Sequence, residues 1–195
     1  MRPLTSERLT DTTSMAASSK LPLRPPQQRR VVSPHLPLLE AVVSGGQTGA
    51  DQAGLRAACL LGLATGGWAP RGWLTLDGPA PWLGTEYGLI ESEWDYAGRT
   101  SANVRDSSAT VRIAHNFCST GERCTLKAIK KWGRPYVDVN ARFLDPEFEH
   151  AARRLLVRFL AEYKIRVLNV AGNSEKTSPG IGRAAEAFLV RALRA

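Results

Sequence analysis

No stretch of this sequence is apolar for long enough to cross a bilayer. The longest runs, such as AACLLGLA, fall far short of the ~20 residues a spanning helix needs. Cysteine is scarce and unpaired: Cys59, Cys118 and Cys124 are odd in number and have no CxxC spacing. That argues against a disulfide framework or a thiolate zinc site and fits reduced thiols in a cytosol-like compartment. Histidine is limited to His35, His115 and His150, with no partner pattern for a metal or a triad. Only His115 falls near a predicted crevice, where a hydrogen-bonded structural role is its better reading. No pair of carboxylates stands out for acid and base work. With reactive side chains so thinly supplied, function is to be sought in the loops and their backbone.

What is present describes a water-soluble globular chain. Of 195 residues, 43% are hydrophobic and 23% charged, which suits one full core plus a tail rather than two domains. The net charge of +8 is unevenly spread, because residues 1–40 hold six Lys and Arg against Glu7, Asp11 and Glu40. The remainder is only mildly basic. Such an excess suits an anionic ligand and does not require nucleic acid.

Residues 1–38 contain Pro22, Pro25, Pro26, Pro34 and Pro37 among scattered Ser, Thr and Arg, with neither helical nor strand periodicity. They read as a disordered leader. The stretch MAASSKLPLRPPQQRR has the Ser, Ala and Arg balance of an organelle transit peptide; a nonfunctional extension or a misassigned start codon fits equally. The expected location is therefore cytoplasmic, or an organelle if the leader is a transit signal. Residues 39–195 form the expected single domain.

Within that domain apolar runs alternate with helical patterns. LEAVVS (39–44), ATVRIA (109–114), PYVDV (135–139) and IRVLNV (165–170) predict strands, with a weaker one at LATGGW (63–68). Helices are predicted over 51–62, 121–133 and 146–163 and from about Pro179 onward. The alternation implies an α/β fold: a doubly wound parallel sheet of about five strands with helices on both faces. Ligands in such sheets sit beyond the carboxyl ends of the strands, where strand order reverses.

The first loop at that edge is SGGQTGAD. Gly45, Gly46 and Gly49 let a ligand approach the backbone, and the following helix is expected to aim free N–H groups and its positive dipole end at the same spot. A phosphorylated small molecule is the expected guest. Gln47 and Thr48 add neutral donors, and Asp51 caps the helix or orients a ligand group. A tight turn with a capping aspartate explains the glycines and leaves Gln47 and Thr48 without a reason. The loop lacks the lysine of a nucleoside triphosphatase. A second candidate, CSTGERCT, offers Gly121 and Thr125, although Glu122 at a helix start is also what a macrodipole favours with no ligand. A third, LNVAGNSEKTSPGIG, places Asn169, Gly172, Asn173 and Ser174 at the same edge, where an ordinary turn is the competing reading.

Between the second and third predicted strands lies a long insertion, Gly66 to Ser107, holding Trp68, Trp73, Trp82, Trp94, Tyr87 and Tyr96. Long loops at this edge serve as lids or binding walls. Arg99 and Asn103 stand one helical turn apart in RTSANV and share a face, either to bind an anion or to brace backbone.

In order along the chain, SGGQTGAD, GGWAPRG, YAGRTSANVRDSSATV, TLKAIKKWGRPYVDV and LNVAGNSEKTSPGI resemble the molybdenum cofactor carrier proteins over about residues 39–193. The resemblance implies a Rossmann-like homo-oligomer that binds the molybdenum cofactor, a phosphorylated pterin dithiolene (molybdopterin), and protects it without turnover, with molybdenum cofactor-dependent enzymes as partners. It implies an anion-binding loop at Gly45, Gly46, Gln47, Thr48, Gly49 and Asp51, joined by Arg99, Thr100 and Asn103. The sequence departs from the family pattern at Glu122, at Asn173 and Ser174 in place of Pro-Arg, and at Ser108. The wider superfamily includes lysine-decarboxylase-like nucleotide phosphoribohydrolases, whose PGGxGTxxE motif is absent. A nucleotide N-glycosidic hydrolase and a sensor of a nucleotide-derived ligand are the competing readings.

Overall fold

The short, apolar runs between helices become strands that all point one way. In the computed structural model, which describes residues 21–144 and 146–194, the elements in chain order are β1 (Ala41–Val43), α1 (Ala50–Leu61), β2 (Ala64–Ala69), β3 (Leu74–Thr75), β4 (Gly78–Pro79), α2 (Trp82–Tyr87), β5 (Leu89–Glu91), α3 (Tyr96–Asp106), β6 (Ala109–Ala114), α4 (Thr120–Trp132), β7 (Tyr136–Asn140), α5 (Pro146–Glu162), β8 (Val167–Gly172) and α6 (Ile181–Arg194). Six strands pair in the order β5-β2-β1-β8-β6-β7, every pair parallel. The predicted doubly wound sheet is present with one more strand than expected. That strand is β5, inside the long insertion, which also folds back as the antiparallel β3–β4 ribbon.

The winding fixes where a crevice can form. From β1 the chain moves outward to β2 and β5, then α3 carries it across to β6 and β7, and only the last strand, β8, fills the slot beside β1. Right-handed crossovers then put α1 and α5 on one face and α3 and α4 on the other. Packing agrees, for α6 lies against α1 and α5, while α3 lies against α4. The chain leaves β1 toward β2 on one side and reaches β8 from β7 on the other, so the strand order reverses at the β1–β8 pair.

Burial supplies the stability of this frame. Phe188, Leu156, Leu160 and Leu168 are fully buried in the main core with β6 and α1, and each such side chain contributes about 1.5–3 kcal/mol of transfer free energy. A smaller cluster of Leu55, Leu83, Tyr87 and Leu89 fastens the insertion to α1.

Part of the expected leader is packed onto the domain. Residues 1–20 lie outside the described residues, but from residue 21 onward the chain makes specific contacts. Arg24 exchanges backbone hydrogen bonds with Thr65 of β2, Val31 N–H donates to Leu61, and Ser33 N–H donates to Leu193. Leu36 is buried, and the Arg30 guanidinium reaches the Leu36, Pro37 and Leu39 carbonyls. Disorder through residue 38 is therefore corrected for 21–38: proline removes periodicity from the segment without removing its power to cover an edge. None of the described helices is long and apolar enough to cross a membrane.

Candidate functional site

Most amides of the loop after β1 already have partners. Ser44 Oγ accepts from Gly46 N–H, Asp51 Oδ2 accepts from Gln47 N–H, and Gln47 Oε1 accepts from its neighbour Thr48 N–H. Ala50 N–H donates to the Asn173 carbonyl across the sheet edge. Four amides of the expected N–H cradle are thus taken by the protein's own acceptors. The glycines serve those close approaches instead. Gly49 sits at φ +91°, and a Cβ there would strike the Asn173 carbonyl; a Cβ on Gly45 would fall inside the Arg99 guanidinium.

Arg99 takes the place expected for a ligand's charge. It projects from α3 and is only 4% exposed; its guanidinium lies over the Tyr96 ring, 4.3 Å from the centroid. Among the described residues its guanidinium makes one hydrogen bond, from Nη1 to Asp51 Oδ2 at 3.2 Å, and its Nε has no partner. A guanidinium carries five N–H donors, and buried donors are almost always satisfied. Burial pushes the Asp51 carboxyl above the usual carboxylate range, against the pull of Arg99 and the Gln47 amide. The pair is therefore weakly held on both sides.

Gly45, Asp51, Arg99, Thr100, Asn103, Thr125 and Gly172 do converge, around a cavity of about 10 Å³, room for roughly one water. Within it Asn103 is a brace, receiving Trp68 N–H and donating to the Trp68 carbonyl at 2.8 and 3.0 Å. Thr100 and Thr125 turn their hydroxyls back to the Tyr96 and Gly121 carbonyls. Gly46, Gln47, Thr48, Gly49 and Gly121 stand outside this lining. Gly46 lies under Leu83 and Leu89, and Gln47 Oε1 also holds the insertion through Leu76 N–H at 2.9 Å. Thr48 Oγ1 is buried without a partner. Asn169, from the third candidate loop, lines the cavity too, together with Tyr96 and Ala171, which the sequence did not mark as site residues. Tyr96 could have been found, since 96, 99, 100 and 103 mark one helical face.

The departures from the family pattern have structural roles. Asn173 is buried, and its Oδ1 accepts from His115 N–H, Asn116 N–H and Ser178 Oγ, so it ties two loops together. Glu122, 1% exposed, faces Arg112 at 3.6 Å and has an Oε2 with no hydrogen bond. Burial pushes its carboxyl up to about 7, with Arg112 pulling down and Asp51 and Asp138 pushing further up. Among the described residues no group of His, Cys, Asp and Glu could hold a metal ion, and the three cysteines are free.

Comparison with known proteins places this geometry. The model of the circularly permutated YpsA SLOG family matches residues 42–193. A solved structure, described as a putative molybdenum carrier protein from Syntrophus aciditrophicus SB, is 32% identical, covers 82% of this chain and 97% of its own, and superposes with a TM-score of 0.73. No match is found among proteins of curated function. The last strand filling the slot beside β1, the SGGQTGAD loop and the matched span lead to one assignment: the chain belongs to the circularly permutated YpsA SLOG family.

Proposed function

We propose that this protein is a carrier that binds the molybdenum cofactor, a phosphorylated pterin, at the crevice beyond β1 and β8 and protects it without turnover. The observation that carries the reading is Arg99: a buried guanidinium that spends one hydrogen bond on a carboxylate whose charged form burial disfavours. A phosphate offers that guanidinium a stronger, bidentate partner. The relative described as a molybdenum carrier supports the choice of guest. Because the enclosed space admits only about one water, binding requires Arg99 to leave Asp51 and turn to the incoming anion. Asp51, released from its cation, then takes up a proton. Retention should accordingly weaken as pH rises, and the swap is reversible, as a carrier requires.

In this reading the protein works in the cytoplasm as a homo-oligomer and passes its cargo to molybdenum cofactor-dependent enzymes. The site residues are Asp51 and Arg99, which face each other across the lining of the cavity. The test is anaerobic purification from a cofactor-producing host, followed by assay of molybdenum and pterin. Both should accompany the protein in near-equal amounts. Their absence, together with no slowing of the decay of added cofactor, would sink the proposal. Release of free base from nucleoside monophosphates would instead favour a hydrolase.

A further inference from the structure

A roomier cavity, of about 660 Å³, lies between α6 and the carboxyl ends of β6 and β7. Its apolar lining is mostly of small side chains: Ala141 follows β7, and Ala184 and Ala187 come from α6, beside the largely buried Ile181 that opens this helix. The bulky residues of that helix, Phe188 and Leu189, point into the core instead. The space therefore exists because α6 presents alanines where larger side chains would fill it. Its volume falls within the range that drug-sized ligands occupy.

Charge is distributed over this cavity in a directed way. Arg191 is already committed, its guanidinium bonded to both Glu149 oxygens at 2.6 and 3.2 Å. The amides that open α6 are committed too, since Gly180 N–H and Gly182 N–H donate to the two oxygens of Glu175 at 2.7 and 2.6 Å. Arg183 differs: it is exposed on the lining and has no ion-pair partner among the described residues. The lining also includes His115, whose backbone N–H donates to Asn173 Oδ1 at 3.0 Å. One uncommitted guanidinium and one imidazole thus border an apolar trough.

We propose that this cavity is a second ligand site, independent of the carrier reading, that takes a small amphipathic anion: an apolar body on the Ala141, Ile181, Ala184 and Ala187 floor and an acidic head at Arg183 and His115. The opposite arrangement, a cationic or neutral guest, leaves Arg183 without a counter-charge. The site is separate from the Arg99 crevice, for the two cavities share no lining residue.

The test is a fluorescence titration of the full chain with 8-anilinonaphthalene-1-sulfonate. Its uncharged analogue, N-phenyl-1-naphthylamine, serves as the control for the head group, and decanoate and inorganic phosphate serve as competitors. The wild type should bind the sulfonate saturably at one site and the uncharged analogue at least tenfold more weakly. Decanoate should displace the probe and inorganic phosphate should not. Arg183→Glu should weaken binding at least tenfold, Ala187→Trp should abolish it, and Arg99→Ala should leave it unchanged. Equal binding of the uncharged analogue, displacement by inorganic phosphate alone, or a loss on Arg99→Ala would overturn the proposal. So would an Ala187→Trp protein that binds as the wild type does. If Ala187→Trp fails to fold, Arg183→Glu and the uncharged analogue still decide. Absence of binding in a wild type whose oligomer dissociates on Ala187→Trp would make this face a subunit interface and refute the ligand site.

Discussion

Two buried arginines, Arg99 on α3 and Arg112 on β6, are treated in opposite ways. Arg112, on β6, is held on every side: Nε and Nη2 bond the two Asp138 oxygens at 2.8 and 2.5 Å, and Nη1 bonds the Glu122 carbonyl at 3.2 Å. Phe117 and Tyr136 lie 5.2 and 5.4 Å from its guanidinium carbon. Arg99, equally buried, has one hydrogen bond and an orphaned Nε. A guanidinium bonded through all three nitrogens is a structural rivet, whereas one bonded through a single nitrogen in the crevice is free to exchange its partner. Burial alone does not separate the two; the number of donors already spent does.

Removing each cation is the strongest way to break the contrast. Arg112→Ala leaves two carboxylates without their counter-charge, one of them fully buried, and is expected to cost about 3–5 kcal/mol in urea unfolding. Arg99→Ala removes a single charged hydrogen bond and leaves Asp51 able to protonate, for a loss of about 1.5–3 kcal/mol. Equal losses would mean that Arg99 is as structural as Arg112.

The pH dependence sharpens it next. The Glu122 carboxyl is raised from its ordinary 4.5 to about 7 in the folded protein. A raised acid favours the protonated folded state, so its stabilising effect is fully present below about 4.5 and is lost as pH rises through about 7. The amplitude is on the order of 3 kcal/mol. Asp51 acts in the same direction. Glu122→Gln should flatten the stability profile between these limits and leave the variant more stable than the wild type at pH 8. An unchanged slope would show that Glu122 is not the group titrating.

A subtler effect tests how Arg99 is seated. Gly45→Ala places a methyl where the guanidinium lies, so in the wild type it should cost about 1–3 kcal/mol. In the Arg99→Ala background most of that cost should vanish, giving a coupling of about 1–2 kcal/mol in a double-mutant cycle. Additive losses would mean that Gly45 is constrained by something else.

How much of this was legible in the sequence depends on how local each feature is. The alternation of apolar runs and helical faces sufficed for the doubly wound sheet, since each element announces itself within a few residues. β5 has three residues inside a tryptophan-rich insertion, too few to establish a period. The packing of residues 21–38 was hidden because prolines and arginines cover an edge through backbone bonds, which have no hydropathy signature. At the site, the glycines of SGGQTGAD mark close approaches, and the structure shows which parts of the protein make them. The guanidinium against Gly45 comes from position 99 and the carbonyl against Gly49 from position 173. Neither is local, and neither could be distinguished from a phosphate by counting glycines. Likewise Asn173 and Ser174 stand in place of the family's Pro-Arg, and the structure makes Asn173 the joint between two loops.

The central claim is that Arg99, and not Arg112, is the group that meets the anionic guest. The most direct measurement is the amount of pterin retained per chain after anaerobic purification of the wild type and of folded Arg99→Ala from the same cofactor-producing host. The account expects near-stoichiometric pterin on the wild type and a factor of about 10–100 less affinity in the variant. Equal retention by the two proteins would contradict it.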